Sequence, residues 1–180
     1  FNDFEALLKV ALKDERLTSH GYQKQSFADI DHSPIWERVK DHIKFLTQHG
    51  YEVFLNSGTL LGVVRDGRLI DHDDDVDLAV ILRADSAEGA VAEWTALRAE
   101  LKAQGLLDEE RMDSNAILKL IGEGDVHFDL FPAWFEGDDF YVYPHSFGDL
   151  TRQDVLPLSP CQHSGHMIPA DPVKMLANNY

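Results

Sequence analysis

Residues 71–82 read DHDDDVDLAVIL, in which five aspartates within seven positions are followed by an apolar run. Side chains alternate between the two faces of a strand, and every second residue from Val76 to Leu82 therefore points into a core. Asp75 and Asp77 then share the opposite face. Because neighbouring carboxylates repel one another and resist leaving water, the sequence predicts a strand over 76–82 whose first acids bind a cation.

The other acids of this run have different expected roles. Asp73 joins the pair as an auxiliary ligand if the extended conformation begins early, whereas Asp71 and Asp74 are expected to face solvent. A set of ligands made only of oxygen atoms favours Mg²⁺ or Mn²⁺ over zinc. The alternative for the whole run is a solvated acidic loop that binds no ion.

A further acid interrupts an apolar segment at VHFDLFP, residues 126–132. Asp129 lies between Phe128 and Leu130 in this predicted strand, a setting in which a carboxylate needs a partner. That partner is either a Lys or Arg side chain or, if the strand neighbours 76–82, the same metal ion. In the second case Asp129 would be a third metal ligand.

The segment NSGTLLG, residues 56–62, joins a predicted strand to a short predicted helix. Ser57, Gly58 and Thr59 would present free backbone N–H groups and hydroxyls at the helix N-terminus, which is a favourable place for a phosphate group. Such a turn is complementary to an acidic strand that follows it. The turn would bind a phosphate group, and the acids would bind a metal ion that also contacts this phosphate.

Three cations near these motifs are candidates for contacting a bound phosphate group. Arg65 and Arg68 follow the Ser-Gly-Thr turn, and Lys119 lies on the predicted strand that precedes Asp129. Ordinary surface charge is the alternative role for each of them.

Hydrophobic periodicity predicts helices and strands in alternation, without an internal repeat or a linker. Predicted helices cover residues 4–17, a segment from Ser33-Pro34 to His49-Gly50, a short stretch after Ser57, residues 85–104, and a last helix capped by Asp171. Predicted strands cover 51–56, 76–82, 116–121, 126–131 and 140–143. This order predicts one domain over residues 1–180, an α/β (α+β) fold with helices packed on a mixed sheet.

The composition is strongly acidic, with 32 Asp and Glu against 16 Lys and Arg and a formal net charge of −16. Such a surface repels nucleic acid, and no apolar stretch approaches the length of a membrane span. Cys161 is the only cysteine, which excludes an intrachain disulfide and suits a reducing compartment. Because the chain starts at Phe1 and stops at Tyr180 within a predicted helix, we expect flanking domains in a longer protein.

Taken together, four segments resemble the LicD/fukutin family of the nucleotidyltransferase-fold superfamily. They are GTLLGVVR at 58–65, DHDDDVDLAV at 71–80, FDLFP at 128–132 and PADPVKMLANNY at 169–180. The resemblance extends over residues 35–180 and implies a nucleotidyltransferase-like mixed sheet surrounded by helices. It also implies a phosphotransferase that moves a phospho-alditol, phosphocholine or phospho-sugar group from a nucleotide-activated, CDP-linked donor to a glycan acceptor, as in the biosynthesis of cell-surface polysaccharides.

The family pattern can be carried over to individual residues. Asp75 and Asp77 would bind Mg²⁺ or Mn²⁺, with Asp73 at a neighbouring position that is often acidic in the family. Asp129 would be the third carboxylate and the general base for the acceptor hydroxyl. The Ser57–Thr59 turn would hold the donor phosphates. We expect a cytoplasmic location, including the membrane periphery, or the Golgi lumen if the source is eukaryotic.

Two other functions are compatible with these motifs. A sugar-nucleotide glycosyltransferase also uses a D-x-D metal site, although it normally has a longer nucleotide-binding half before that motif. A non-catalytic module of the same fold would bind partners without turnover. A calcium-binding EF-hand is excluded, because its sixth and twelfth positions, counted from Asp71, hold Val76 and Leu82.

Overall fold

A computed structural model describes residues 26–112 and 114–180, residues 7, 10 and 11, and the backbone of residues 16–18 and 21–23. Most of the helix predicted over residues 4–17 lies outside the described residues, and the prediction was wrong for Arg16 and Leu17, which lie in a strand that pairs with residues 21–23. In chain order the strands are β1 (Arg16–Thr18), β2 (Gly21–Gln23), β3 (Glu52–Leu55), β4 (Asp75–Ile81), β5 (Leu118–Glu123), β6 (Val126–Glu136), β7 (Asp139–Val142), β8 (Ser146–Thr151), β9 (Ser159–Pro160) and β10 (Met167–Ile168). The helices are α1 (Ser33–Gln48), α2 (Ser57–Arg65), α3 (Ala87–Ala103), α4 (Arg152–Val155) and α5 (Pro172–Asn179).

Six of these strands form one mixed sheet in the order β3-β4-β6-β7-β8, and β5 also pairs with β6. β4 and β6 are parallel, whereas the other neighbouring pairs are antiparallel. This sheet, with helices around it, confirms the predicted fold class. The sequence did not predict β8, because Gly148 and Asp149 interrupt the apolar alternation of that strand.

Strand β6 changes its antiparallel partner near its middle. Its first half pairs with β5 up to Leu130, and its second half pairs with β7 from Ala133 onward. Pro132 lies between these two pairings, where its missing N–H group interrupts neither ladder. The prediction that this strand ends at residue 131 was therefore wrong, and the longer strand links the acidic end of the sheet to its far edge.

The two faces of the sheet have different coverings. α1 packs on β3 and β5, and α3 packs on β6. On this face His42 of α1, which is 2% exposed, contacts the ring of Phe128. α2 and α5 pack together on the opposite face, α2 against β4 and α5 against β8. The acids of β4 belong to this second face.

The last helix is held at its N-terminus and against its neighbour. Asp171 Oδ1 accepts a hydrogen bond from Lys174 N at 2.9 Å, which confirms the predicted cap. Lys174 Nζ donates to Asp154 Oδ2 at 2.7 Å and thereby joins α5 to α4. These contacts hold α5 beside α2 at the acidic face of the sheet.

Candidate metal and phosphate site

Three acids that were predicted from separate segments lie together on the sheet. Asp77 in β4 is directly opposite Asp129 in the parallel register with β6, and Asp75 precedes Asp77 on the same face. Asp75, Asp77 and Asp129 are 8%, 5% and 5% exposed. The condition under which the sequence made Asp129 a third ligand, a strand adjacent to β4, is therefore met.

The carboxylate oxygens are close enough to share an ion. One oxygen from each of Asp75, Asp77 and Asp129 lies within 4.8 Å of the others, and Asp73, Asp74 and Asp75 form a second group of the same kind. We call these five residues the acidic cluster. Ligands made only of oxygen suit a hard divalent cation such as Mg²⁺ or Mn²⁺, and the acidic cluster can therefore bind a metal ion.

The prediction that Asp74 faces solvent was wrong, because its side chain is only 4% exposed. His127 N donates to Asp74 O at 3.1 Å, so that β6 already holds the backbone before β4 begins. The fixed conformation thus starts ahead of the apolar run and carries Asp73 and Asp74 into the acidic cluster.

Burial and mutual repulsion raise the pKa values of two acids in the cluster. Burial is the larger cause for both, and the carboxylates of Asp77 and Asp73 raise the pKa of Asp75 further. For Asp77 the added repulsion comes from Asp129 and Asp73, whereas hydrogen bonds from backbone N–H groups lower its pKa without offsetting burial. Ionised carboxylates in this setting require added positive charge, which a divalent cation supplies.

Asp129 also has a cationic partner within the protein. Lys119 Nζ lies 2.7 Å from Oδ1 and 2.6 Å from Oδ2 of Asp129, and the two residues are opposite each other in the β5–β6 register. The sequence left a salt bridge and a metal site as alternatives for Asp129. The structure contains the salt bridge and also places Asp129 beside Asp77, while contact of Lys119 with a phosphate stays a prediction.

The N-terminus of α2 binds Asp77. Gly58 N and Thr59 N donate to Asp77 Oδ2 at 2.9 and 3.4 Å, and Asp77 N donates to Thr59 Oγ1 at 2.8 Å. The prediction that these N–H groups are free for phosphate was therefore wrong, because the positive end of the helix already faces a carboxylate. A Cβ atom at Gly58 would lie 2.9 Å from Asp73 Oδ2, which explains why the smallest residue occupies this position.

Ser57, the remaining residue of the turn, has a different partner. Its Oγ lies 2.9 Å from His145 Nε2, across 88 residues of sequence. The ring of His145 contacts that of Phe131, with 5.9 Å between the centroids, and Phe131 follows Asp129 on the same face of β6. The sequence did not indicate His145 as a site residue, because no local pattern connects it to the turn.

The two predicted arginines lie beyond the turn. α2 is nine residues long, which corresponds to about 12 Å between its ends. Arg65 therefore lies at the opposite end from Ser57, where it pairs with Asp66. Arg68 pairs with Asp71. Their contact with a donor phosphate stays a prediction.

Arg111 is a cation near the acidic cluster that the sequence did not indicate as a site residue. Its Nη1 lies 3.2 Å from Nδ1 of His127, and His127 is opposite Asp75 in the β4–β6 register. Arg111 belongs to a single 3₁₀ turn between α3 and β5. The backbone bond from Asp108 N to Lys119 O ties this turn to β5, and the pairing of β5 with β6 and of β6 with β4 brings it to the site.

Comparison with known proteins places this arrangement in a family. A family model described as LicD/FKTN/FKRP, nucleotidyltransferase domain matches residues 50–171, about two thirds of the chain. The chain belongs to the LicD family. The matched segment of the LicD domain contains the acidic cluster, the N-terminus of α2 and His145. A search of curated proteins returned no match.

Family membership indicates the general class of chemistry. LicD domains are generally transferases, with phosphotransferase-like or nucleotidyltransferase-like activity. The site described above has ligands suited to a metal ion and, beside them, a helix N-terminus with a serine hydroxyl. Within residues 26–112 and 114–180, none of the helices combines the length and apolar character that a membrane span requires.

Proposed function

We propose that this LicD domain is a metal-dependent phosphotransferase. It moves a phospho-alditol, phosphocholine or phospho-sugar group from a nucleotide-activated, CDP-linked donor to a hydroxyl group of a glycan acceptor. The observation that carries the proposal is the position of Asp77 opposite Asp129 on parallel strands, with Asp75 beside them and all three side chains buried. In a family of transferases, buried like charges of this kind are typical of a catalytic site.

Asp75, Asp77 and Asp129 hold Mg²⁺ or Mn²⁺ in this proposal, and Asp73 is an auxiliary ligand. When bound, the metal neutralises charge on the donor phosphates and on the transferring phosphoryl group. The spacing of the carboxylate oxygens and the raised pKa values of Asp75 and Asp77 support this assignment.

Other residues bind and orient the reactants. Ser57 donates its hydroxyl proton to a donor phosphate oxygen at the N-terminus of α2, and Gly58 keeps the approach to Asp73 open. Asp129 accepts the proton of the acceptor hydroxyl as general base. Lys119, whose Nζ lies 2.7 and 2.6 Å from the two oxygens of Asp129, holds that carboxylate in a fixed orientation for the acceptor.

Nucleotide binding tests this proposal directly. Calorimetric titration of the LicD domain with CDP and with UDP, each with Mg²⁺ or Mn²⁺ and again with EDTA, is expected to show metal-dependent binding of CDP. Asp75→Asn and Asp77→Asn should abolish this binding and turnover while the fold is retained. Asp71→Asn is the matched control, because Asp71 belongs to the same run but pairs with Arg68 outside the acidic cluster.

Other outcomes would replace the proposal. Preferred binding of UDP would favour a sugar-nucleotide glycosyltransferase, and absence of metal-dependent nucleotide binding would favour a non-catalytic module. If CDP binds, turnover with CDP-ribitol, CDP-glycerol and CDP-choline in turn identifies the transferred group. Full activity of either Asp→Asn variant would contradict the metal role.

A further inference from the structure

We infer that His145 is a positioning residue of the donor-phosphate site. Its Nε2–H group donates to Ser57 Oγ and thereby directs the hydroxyl proton of Ser57 toward a phosphate oxygen. This inference rests on the proposed function for the identity of the ligand, whereas the direction of the hydrogen bond can be tested without any ligand.

Ser57 is held in an unusual backbone conformation. Its φ of 40° lies in the left-handed region, which is uncommon for a residue other than glycine and persists where the surroundings impose it. The residue is 7% exposed, and it begins α2 after a single residue that follows β3. Its hydroxyl therefore has a restricted direction, fixed by the backbone on one side and by His145 on the other.

His145 is itself fixed by two contacts from different elements. Its ring packs against Phe131 on β6, and its carbonyl oxygen accepts a hydrogen bond from Asn178 Nδ2 on α5 at 3.2 Å. Burial lowers the pKa of His145. The imidazole is thus held in place at the edge of the acidic cluster by the sheet and by the last helix.

The chemistry of phosphate determines the direction of the Ser57–His145 bond. An ionised phosphate oxygen only accepts hydrogen bonds, and Ser57 must therefore use its single hydroxyl proton to contact it. His145 must then be the donor to Ser57 Oγ, which requires the tautomer protonated at Nε2. Since Gly58 N and Thr59 N already donate to Asp77, the Ser57 hydroxyl becomes the phosphate contact at this turn.

The first experiment determines the tautomer. Long-range ¹H–¹⁵N correlation spectra of the uniformly labelled LicD domain, with His145 assigned through His145→Gln, are expected to show protonation at Nε2. Ser57→Ala should shift the His145 Nε2 resonance, and a histidine outside the site, His49, should keep its resonances. Protonation of His145 at Nδ1 in the wild-type protein would overturn the inference, whatever the outcome of nucleotide binding.

The second experiment is a double-variant cycle. Calorimetry with CDP and Mn²⁺ is expected to show a loss of affinity of about tenfold for Ser57→Ala and for His145→Leu, the usual size for a hydrogen bond to a charged group. The double variant should lose about tenfold as well, because both changes remove the same contact. His145→Gln, which retains an N–H donor, should recover most of the affinity, and His49→Gln should bind normally.

Two results of the double-variant cycle would contradict the role of His145. Normal binding by His145→Leu, or a loss of about one hundredfold in the double variant, would overturn the inference, because the two side chains would then act independently. Thermal unfolding of each variant shows whether the fold is kept, and His145→Gln provides the comparison if His145→Leu is unstable. Failure of the wild-type protein to bind any nucleotide with metal would refute the proposed function instead, and the tautomer would still decide the direction of the bond.

Discussion

Asp77 and Asp129 lie directly opposite each other on two parallel strands, and each residue is 5% exposed. Like charges in adjacent positions of a sheet oppose folding, and burial raises the pKa of Asp77 together with the charges of Asp129 and Asp73. An arrangement that lowers stability in the metal-free protein is typical of a binding site rather than of a structural one.

Replacing Asp75 by Asn should stabilise the metal-free protein. The folded-state pKa of Asp75 is raised, first by burial, and its contribution to stability therefore declines as pH rises above the usual carboxyl range. We expect Asp75→Asn to raise the free energy of unfolding in EDTA by on the order of 1–2 kcal/mol at neutral pH, with a larger gain at pH 8 than at pH 5. Urea denaturation in EDTA at pH 5 and at pH 8 measures the gain at each pH. Added Mn²⁺ should stabilise only the wild type. A variant less stable than the wild type in EDTA would contradict the prediction.

Replacing Lys119 by Gln should destabilise the metal-free protein. The variant leaves the buried carboxylate of Asp129 without its cation, because Lys119 Nζ contacts both oxygens. We expect a loss of about 2–3 kcal/mol in EDTA, part of which added Mn²⁺ restores. Lys40→Gln is the control, since Lys40 forms an exposed ion pair with Glu37 that contributes little to stability. Equal losses of stability in the two variants would contradict the prediction, because the buried Lys119–Asp129 pair would then contribute no more than an exposed one.

Substitutions at two glycines of α2 should have different effects, one on metal binding and the other on stability. A Cβ at Gly58 would lie 2.9 Å from Asp73 Oδ2 and 3.3 Å from Asp77 Oδ2, whereas a Cβ at Gly62 would lie 2.5 Å from the carbonyl oxygen of Arg68. We expect Gly58→Ala to weaken Mn²⁺ binding at least about tenfold with a nearly unchanged melting temperature. Gly62→Ala should instead cost about 1–3 kcal/mol of stability. Isothermal titration and thermal melts of the two variants check the contrast, and normal Mn²⁺ affinity in Gly58→Ala would refute it.

The stability of the protein should also fall in mild acid because of His42. Burial lowers the pKa of His42, and its Nε2 lies 2.8 Å from Ile121 O. Since the folded-state pKa is below that of the unfolded chain, stability is retained above about pH 6.5 and is lost as pH falls through the folded-state pKa. Melting temperatures from pH 7.5 to 5 should therefore decrease less steeply for His42→Gln than for the wild type. Parallel curves would show that His42 does not contribute to this pH dependence.

The sequence predicted the elements around the site because their signals are local. Pro34 and Asp171 mark helix starts in α1 and α5, and the alternation of acids and apolar residues predicts β4. The predictions were wrong where pairing between distant strands determines the end of a strand or the burial of a side chain. β6 continues through Pro132 because its antiparallel partner changes there, and Asp74 is buried because β6 already binds its carbonyl group.

The sequence by itself determined that Asp75 and Asp77 share one face of a strand, because a period of two residues is a local property of extended backbone. It also contained the family pattern, of which Gly58 and Asp129 are members. Only the tertiary structure decided that Asp129 lies opposite Asp77, that Lys119 neutralises Asp129, and that His145 meets Ser57. These contacts depend on strand register and on the docking of α5, which follow from the packing of the whole core rather than from any one segment.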